Sequence, residues 1–353
     1  MCYGAVTLDA IETRQVRIPD IRMLAKCDTI SLMGRSASAR RRLKVDRVSR
    51  AIYQMRLKIE YLDRDGNSFQ DLFAAIMAKR YPEHFYPVRP WGRAGDRKND
   101  GYLASERTLF QVYAPYDMTA TEAVAKINDD FNGALPYWQQ YFDKWVFVHN
   151  ASKGLPPHVV KKLLDLGAAN PSITVTHWGY EALRDRAMAL SEHDLSELFG
   201  PPFSYADMSS LGLPELIPVL EAIERGRPLL EQDIRPVPAD KIAINDLSTD
   251  VRYLLTIGMT RSDLVENYFQ DKAPDPSYGD ELATTFRGTY QAFRRQGLGS
   301  DDTFAELVRF AGGSQRGTTT REGAIYAVLA YFFEQCDIYE SSAASRAASE
   351  EAS

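Results

Sequence analysis

The architecture of this chain can be approached from residues 92–113, which read Gly92-Arg-Ala-Gly-Asp-Arg-Lys-Asn-Asp-Gly-Tyr-Leu-Ala-Ser-Glu-Arg-Thr-Leu-Phe-Gln-Val-Tyr113. Thr108–Tyr113 alternates in polarity, as a half-buried strand does. The Asn-Asp-Gly run that ends at Gly101 is favourable chemistry for a hairpin turn. The stretch therefore predicts two neighbouring strands, with Asp100 beside one and Gln111 on the other.

Strands and helices alternate along the following residues. Lys144–His149 and Ser172–His177 are predicted strands, whereas Thr119–Phe131, Pro157–Leu166 and Tyr180–Leu190 have helical patterns. Strands separated by helices in this order favour a sheet that is covered by helices. The sequence therefore predicts an α/β domain, a mixed sheet flanked by helices.

A change of pattern near residue 200 predicts a second domain. Prolines recur from Pro201 to Pro238, and beyond them the apolar spacing is wholly helical. The predicted organisation is a poorly ordered N-terminal arm at 1–44, the α/β domain at 45–200, a proline-rich linker at 201–238, an all-α interaction domain at 239–340 and a disordered tail at 341–353.

Composition and motifs exclude several classes of protein. The net charge of −6 excludes a uniformly basic nucleic-acid coat, although not a local basic patch. The three cysteines lack zinc-ligand spacing, and the apolar runs are too short to span a membrane. No secretory signal, GxSxG elbow or GxxxxGK[ST] loop is present, so we expect a cytoplasmic protein that hydrolyses no nucleotide itself.

Asp100 and Gln111 have the spacing of a candidate metal site. Gln111 and Tyr113 are two residues apart and share a face of the predicted strand. A carboxylate and an amide oxygen are ligands that Mg²⁺ accepts, and a bound metal can activate water for phosphodiester hydrolysis. The simpler interpretation is that Asp100 only forms a turn and Gln111 is an ordinary strand residue.

The same stretch resembles the PD-(D/E)xK nuclease superfamily, in the form found in type IV restriction endonucleases, where the core reads G-D-x-x-x-D-G and then Q-x-K. The resemblance implies a restriction-endonuclease-like fold. It implies that Asp100 binds Mg²⁺ and that Gln111 stands in for the usual glutamate. Gln70 occupies the helix position where the family has an acidic residue, which makes it a third candidate metal ligand.

The chain departs from that pattern at the family's lysine, whose place is taken by Tyr113. Two lysines are candidates to replace it. Lys98 lies two residues before Asp100, and Lys126 lies on the following helix, where some members of the superfamily carry the lysine.

The order of these motifs also resembles proteins of the ABC-three-component anti-phage systems. The resemblance is carried by Phe69-Gln70, the Asp100 loop, Phe110–Pro115 and the closing Tyr331-Phe-Phe-Glu-Gln-Cys-Asp-Ile338. It implies a nuclease-like N-terminal effector domain joined to a helical C-terminal domain. It also implies an SMC/Rad50-like ABC ATPase and a small middle component as partners, with nucleic acid, DNA more than RNA, as the target.

Two functions from different classes follow. The first is a Mg²⁺-dependent nuclease effector in anti-phage defence, with Asp100, Gln111 and Lys126 or Lys98 in its site. The second is a catalytically inactive adaptor that docks the ATPase and binds nucleic acid or protein, which the tyrosine at position 113 favours. His149 and His177 each end a predicted strand, where ligand crevices form, but most such histidines are structural.

Overall fold

The helices and strands alternate first and are then followed by helices alone. The computed structural model describes residues 46–89, 98–225, 245–271, 277–312, 319–335 and 338–339. The predicted arm at 1–44 and tail at 341–353 lie outside them. In chain order the elements are α1 (Arg47–Asp63), α2 (Gly66–Arg80), β1 (Phe85–Pro87), β2 (Gly101–Leu103), β3 (Thr108–Tyr113), α3 (Ala120–Trp138), β4 (Lys144–His149), α4 (Pro157–Ala169), β5 (Thr174–Trp178), α5 (Tyr180–Ala187), α6 (Glu192–Phe199), α7 (Tyr205–Ser209), α8 (Leu213–Arg225), α9 (Thr249–Met259), α10 (Ser262–Asp271), α11 (Tyr278–Arg295), α12 (Ser300–Gly312) and α13 (Thr319–Glu334).

The strands form one mixed sheet in the order β1-β2-β3-β4-β5. β1, β2 and β3 are antiparallel neighbours, and Gly101 lies opposite Phe110 in the β2–β3 ladder. β3, β4 and β5 are parallel, with Tyr113 opposite His149. Parallel neighbours need crossover connections, which α3 and α4 supply. The predicted mixed sheet with flanking helices is thereby confirmed.

Helices cover both faces of this sheet. On one, the α2 face, Phe69 and Phe73 of α2 pack with Phe110 and Val146. On the other, the α3 face, the apolar side chains of α3 and α4 pack with alternate strand residues. The buried members of this second cluster include Leu109, Ile127, Phe131, Trp145, Phe147 and Leu163. Both faces of the sheet are therefore buried, in agreement with the nearly continuous apolar sequence of β4.

The C-terminal helices share one hydrophobic core with α1. Val48, Ala51, Ile52 and Met55 of α1 pack in the same cluster as buried residues of α7 to α13. Tyr61, near the end of α1, packs instead in the cluster on the α2 face of the sheet. The helical C-terminal region agrees with the prediction, and α1 joins it to the α/β part.

The predicted linker at 201–238 is helical over much of its described part, which ends at Arg225. α7 and α8 form there, and Leu216, Val219, Leu220 and Ile223 of α8 are buried in the helical core. A proline in the first turn of a helix costs little, and α8 carries Pro214 there as well as Pro218 inside. Burial of the apolar stripe outweighs the proline penalty, so the helical core begins before the predicted boundary.

A search of the described helices for length and apolar character finds none that could cross a membrane.

Candidate functional site

Asp100 immediately precedes β2, one position beyond the last residue pair of the β2–β3 ladder. Its backbone N–H donates to the Phe110 carbonyl at 2.8 Å, and its own carbonyl accepts from Val88 N–H at 3.2 Å. These bonds hold the backbone between two strands. The Asp100 side chain is buried, with 7% of the residue exposed.

The carboxylate of Asp100 gathers the side chains of both glutamines that the sequence analysis singled out. Gln111 Nε2 donates to Asp100 Oδ2 at 2.7 Å, and Val112 N–H donates to the same oxygen at 2.7 Å. Gln70 Nε2 of α2 donates to Asp100 Oδ1 at 2.7 Å. The structure therefore brings all three predicted metal ligands together, and we call them the Asp100 cluster.

The donor set of the Asp100 cluster suits a hard cation. It offers a carboxylate and two carboxamides, and Mg²⁺ takes oxygen ligands while keeping several waters. Gln111 is 3% exposed, and its Oε1 has no hydrogen-bond partner among the described residues. A buried acceptor without a donor is costly, and a cation or an ordered water would satisfy it. In the described part of the chain, no three His, Cys, Asp or Glu side chains form a metal-binding group. A metal ion at this position would therefore be coordinated by one carboxylate and by amide oxygens.

The two candidate lysines converge on a different carboxylate, that of Asp130 in α3. Lys126 Nζ lies 2.8 Å from Asp130 Oδ2, and Lys98 Nζ lies 3.4 Å from Asp130 Oδ1 while also pairing with Asp129. Asp130 is fully buried. Burial raises the pKa of its carboxyl, although the two lysines oppose that shift. The hydrogen bond to Asp129 raises the pKa of the Lys98 ammonium.

Asp130 belongs to none of the motifs described above, although the sequence contains a signal for it. Ala123, Ile127, Asp130 and Ala134 follow the spacing of one buried helix face, and all four are buried. A carboxylate on such a face must find partners, because an unpaired buried charge is very costly. The partners of Asp130 are Lys126, four residues before it on α3, and Lys98, which precedes β2.

Tyr113 shares the α3 face with Gln111, as the strand spacing predicts. Its ring lies 6.0 Å from that of Phe147, and it packs against the cluster under α3 and α4. Burial raises the pKa of its hydroxyl, and the nearby charge of Glu122 adds to the effect. Tyr113 is therefore a neutral side chain at the position where the resembling family has a cation.

His149 and His177 form a pair at the carboxyl ends of β4 and β5. His149 Nε2 and His177 Nδ1 are 3.1 Å apart, and Ala151 N–H donates to His149 Nδ1 at 3.2 Å. Since Nδ1 accepts, neutral His149 carries its proton on Nε2 and donates it to His177. Burial lowers the pKa of His149 to about 3, with a contribution from His177. Burial also lowers the pKa of His177.

Comparison with known proteins bears on the helical part of the chain. Residues 214–340 match the family model for C-terminal domain 10 of the ABC-three component (ABC-3C) systems. No curated protein and no solved structure shows significant similarity to the chain. The matched region begins within α8 and contains α9 to α13, the helices that form the core with α1. The helical C-terminal region is therefore similar, over residues 214–340, to a C-terminal domain of the ABC-3C systems.

Proposed function

We propose that the α/β part of this chain is a Mg²⁺-dependent nuclease domain and that the chain is a nucleic-acid-cleaving effector of an ABC-3C defence system. The observation that carries the proposal is the Asp100 cluster. Gln111 of β3 and Gln70 of α2 both donate an amide hydrogen to the carboxylate of Asp100, the residue before β2. A structural turn would not require two buried or half-buried amides around the same aspartate.

Each residue of the cluster has a defined task under this proposal. Asp100 and the side-chain oxygens of Gln111 and Gln70 would hold the metal. When bound there, Mg²⁺ would polarise a phosphate oxygen and lower the pKa of the attacking water. The backbone N–H of Val112 fixes the orientation of the Asp100 carboxylate through Oδ2. The burial of Gln111 limits competition from water for the same ligands.

Lys98 and Lys126 supply the positive charge of the proposed site. Their side chains are 39% and 37% exposed, so a nucleic-acid phosphate can reach both ammonium groups. Asp130 holds the two near each other on one side of α3. An anionic phosphate close to the same ammonium groups would share them with Asp130, since Lys carries three donors.

Substitution of Asp100 tests the proposal. We expect Asp100→Asn to reduce Mg²⁺-dependent cleavage of labelled DNA or RNA by roughly 100-fold or more, because the only carboxylate in the cluster becomes neutral. The amide keeps nearly the same size, so the fold should be retained. Calorimetric titration of the metal-free chain with Mg²⁺ gives a second readout, in which the variant should lose the binding heat.

Asp165→Asn is the matched control, because Asp165 is an exposed aspartate that pairs with Lys161 on α4. It should leave both cleavage and Mg²⁺ binding unchanged. Cleavage by Asp100→Asn at the rate of the unsubstituted chain would exclude the Asp100 cluster as the catalytic site.

A second function is favoured by a specific observation, namely that Tyr113 is neutral and that both lysines pair with Asp130. Under this alternative the domain is an inactive adaptor that binds nucleic acid or protein and docks the ABC ATPase. We expect the full chain to co-purify with the ABC ATPase and the middle component of its system under either function, and to act in the cytoplasm. Cleavage by the reconstituted complex with Mg²⁺ separates the two: its absence on every DNA and RNA substrate would favour the adaptor. Failure to co-purify would contradict both.

A further inference from the structure

A group of half-buried and exposed aromatic side chains lies on the α3 face of the sheet. It consists of Tyr86 on β1, Tyr102 on β2, and Trp138 and Tyr141 at the end of α3, and we call it the aromatic platform. The rings of Tyr102 and Trp138 are 6.0 Å apart, and those of Trp138 and Tyr141 are 6.3 Å apart. Tyr102 Oη donates to the Tyr141 carbonyl at 2.7 Å, which ties the strand to the helix end.

Two members of the aromatic platform are unusually exposed for rings. Tyr86 is 55% exposed and Tyr141 is 48% exposed. Most aromatic residues in the described part of the chain pack in its cores, as Phe110 and Phe147 do. An exposed apolar patch marks a binding surface more often than scattered single side chains do.

We propose that the aromatic platform binds unpaired bases of single-stranded nucleic acid by stacking. This inference rests on the proposed function, because it names the substrate class of the proposed nuclease domain. Flat rings with polar tips stack on bases of any sequence, and this is how proteins hold single strands without sequence preference. The bases of an intact duplex have their faces covered by their neighbours, so a stacking surface selects single strands.

The position of the platform relative to Asp100 supports this occupant. Tyr102 packs against the cluster on the α3 face, and it follows Asp100 by two residues, roughly 7 Å along the chain. Tyr86 lies directly opposite Tyr102 in the β1–β2 ladder and therefore points the same way.

A positive charge beside the platform fits a phosphate backbone. Arg107 Nη2 donates to the carbonyl of Gln140, the neighbour of Tyr141, at 3.1 Å. Arg107 also pairs with Asp143, and the two side chains are 49% and 57% exposed. An exposed ion pair contributes little free energy, so a phosphate oxygen can replace the Asp143 carboxylate at small cost.

Binding of the metal-free full chain to labelled oligonucleotides tests the inference. Fluorescence anisotropy in EDTA would compare oligo-dT and oligo-U with a duplex of mixed sequence, so that cleavage does not interfere. We expect the single strands to bind more tightly than the duplex. Tyr86→Ala and Tyr141→Ala should each weaken single-strand binding by roughly 5- to 150-fold, while Tyr→Phe at either position should retain it, because the ring does the stacking.

Tyr205→Ala is the matched control. Tyr205 on α7 is 63% exposed and lies outside the platform, so its replacement should not change the affinity. Since Tyr86 and Tyr141 are also exposed, thermal melting of both variants should match that of the unsubstituted chain, which separates lost binding from lost folding.

The outcomes distinguish this inference from the proposed function. Single-strand binding that is lost in the alanine variants supports the platform even if the chain never cleaves nucleic acid. Absence of cleavage would contradict only the proposed nuclease activity. Equal affinity of the alanine variants, or preference for the duplex, overturns the inference even if cleavage depends on Asp100. If no oligonucleotide binds and the variants instead lose co-purification with a protein component, the surface docks a protein and the inference is wrong.

Discussion

Gly258→Ala is expected to lower the free energy of unfolding by about 3 kcal/mol or more, because the added methyl group has no space. Gly258 lies near the end of α9, where that helix crosses α13. A Cβ at this position would lie 2.2 Å from the Tyr326 carbonyl oxygen and 2.7 Å from the Tyr326 carbonyl carbon. Both atoms belong to the backbone of α13, so rotation of a side chain cannot relieve the contact, and the helices must separate.

Helix propensity opposes this effect but is too small to cancel it. Alanine favours a helix over glycine by about 1 kcal/mol. Gly167→Ala isolates that term, because Gly167 lies within α4 and its Cβ would meet Val175 at an ordinary 3.8 Å. We expect Gly167→Ala to be neutral or slightly stabilising. Urea unfolding of both variants gives the comparison, and equal midpoints for the two would contradict the close packing of α9 on α13.

The close crossing of α9 and α13 also shows why part of the fold could not be predicted from the sequence. The strands of the sheet could be predicted, because apolar alternation is local information. The membership of α1 in the helical core could not be predicted, since it depends on contacts with residues that are distant in the chain. An example is the ion pair between Arg56 and Glu322, with Nη2 and Oε2 2.5 Å apart.

The prolines of residues 201–238 predicted a linker where the described part is largely helical, for the same reason. Their local penalty is visible in the sequence, but the burial of Leu216, Val219 and Leu220 in α8 is a property of the assembled core. The propensity of a segment is a weak guide where tertiary packing supplies the larger free energy.

For the same reason, only part of the candidate site could be predicted from the sequence. Asp100 and Gln111 are brought together by a hairpin, which is local and could be predicted from spacing. The partner of Lys98 and Lys126 could not, because Asp130 reaches the Asp100 loop only when α3 packs on the sheet. Lys98 also passes over Gly133, where a Cβ would lie 2.8 Å from Lys98 Cγ. The position of these ammonium groups is therefore set by α3 rather than by β3.

The second large effect concerns acid stability and arises from His149. This histidine is 2% exposed and neutral, and its pKa is lowered to about 3 against about 6.5 in an unfolded chain. Between these two values the unfolded state binds a proton that the folded state does not, so the folded state loses stability as the pH falls. The contribution is fully present above about pH 6.5. Roughly 2 kcal/mol should be lost at pH 5 and roughly 4 kcal/mol near pH 3.

His149→Gln should remove most of this dependence, because glutamine does not titrate and its amide offers both a donor and an acceptor to replace those of the ring. Urea unfolding between pH 7 and pH 4.5 would show a shallower loss of stability in the variant than in the unsubstituted chain. The lowered pKa of His177 acts in the same direction, so a residual slope should remain. His158→Gln, at an exposed histidine in the first turn of α4, is the matched control and should keep the full slope. If His149→Gln and His158→Gln lost stability equally on acidification, proton exclusion by the buried pair would not be the cause, and carboxylate protonation elsewhere would have to explain the acid sensitivity.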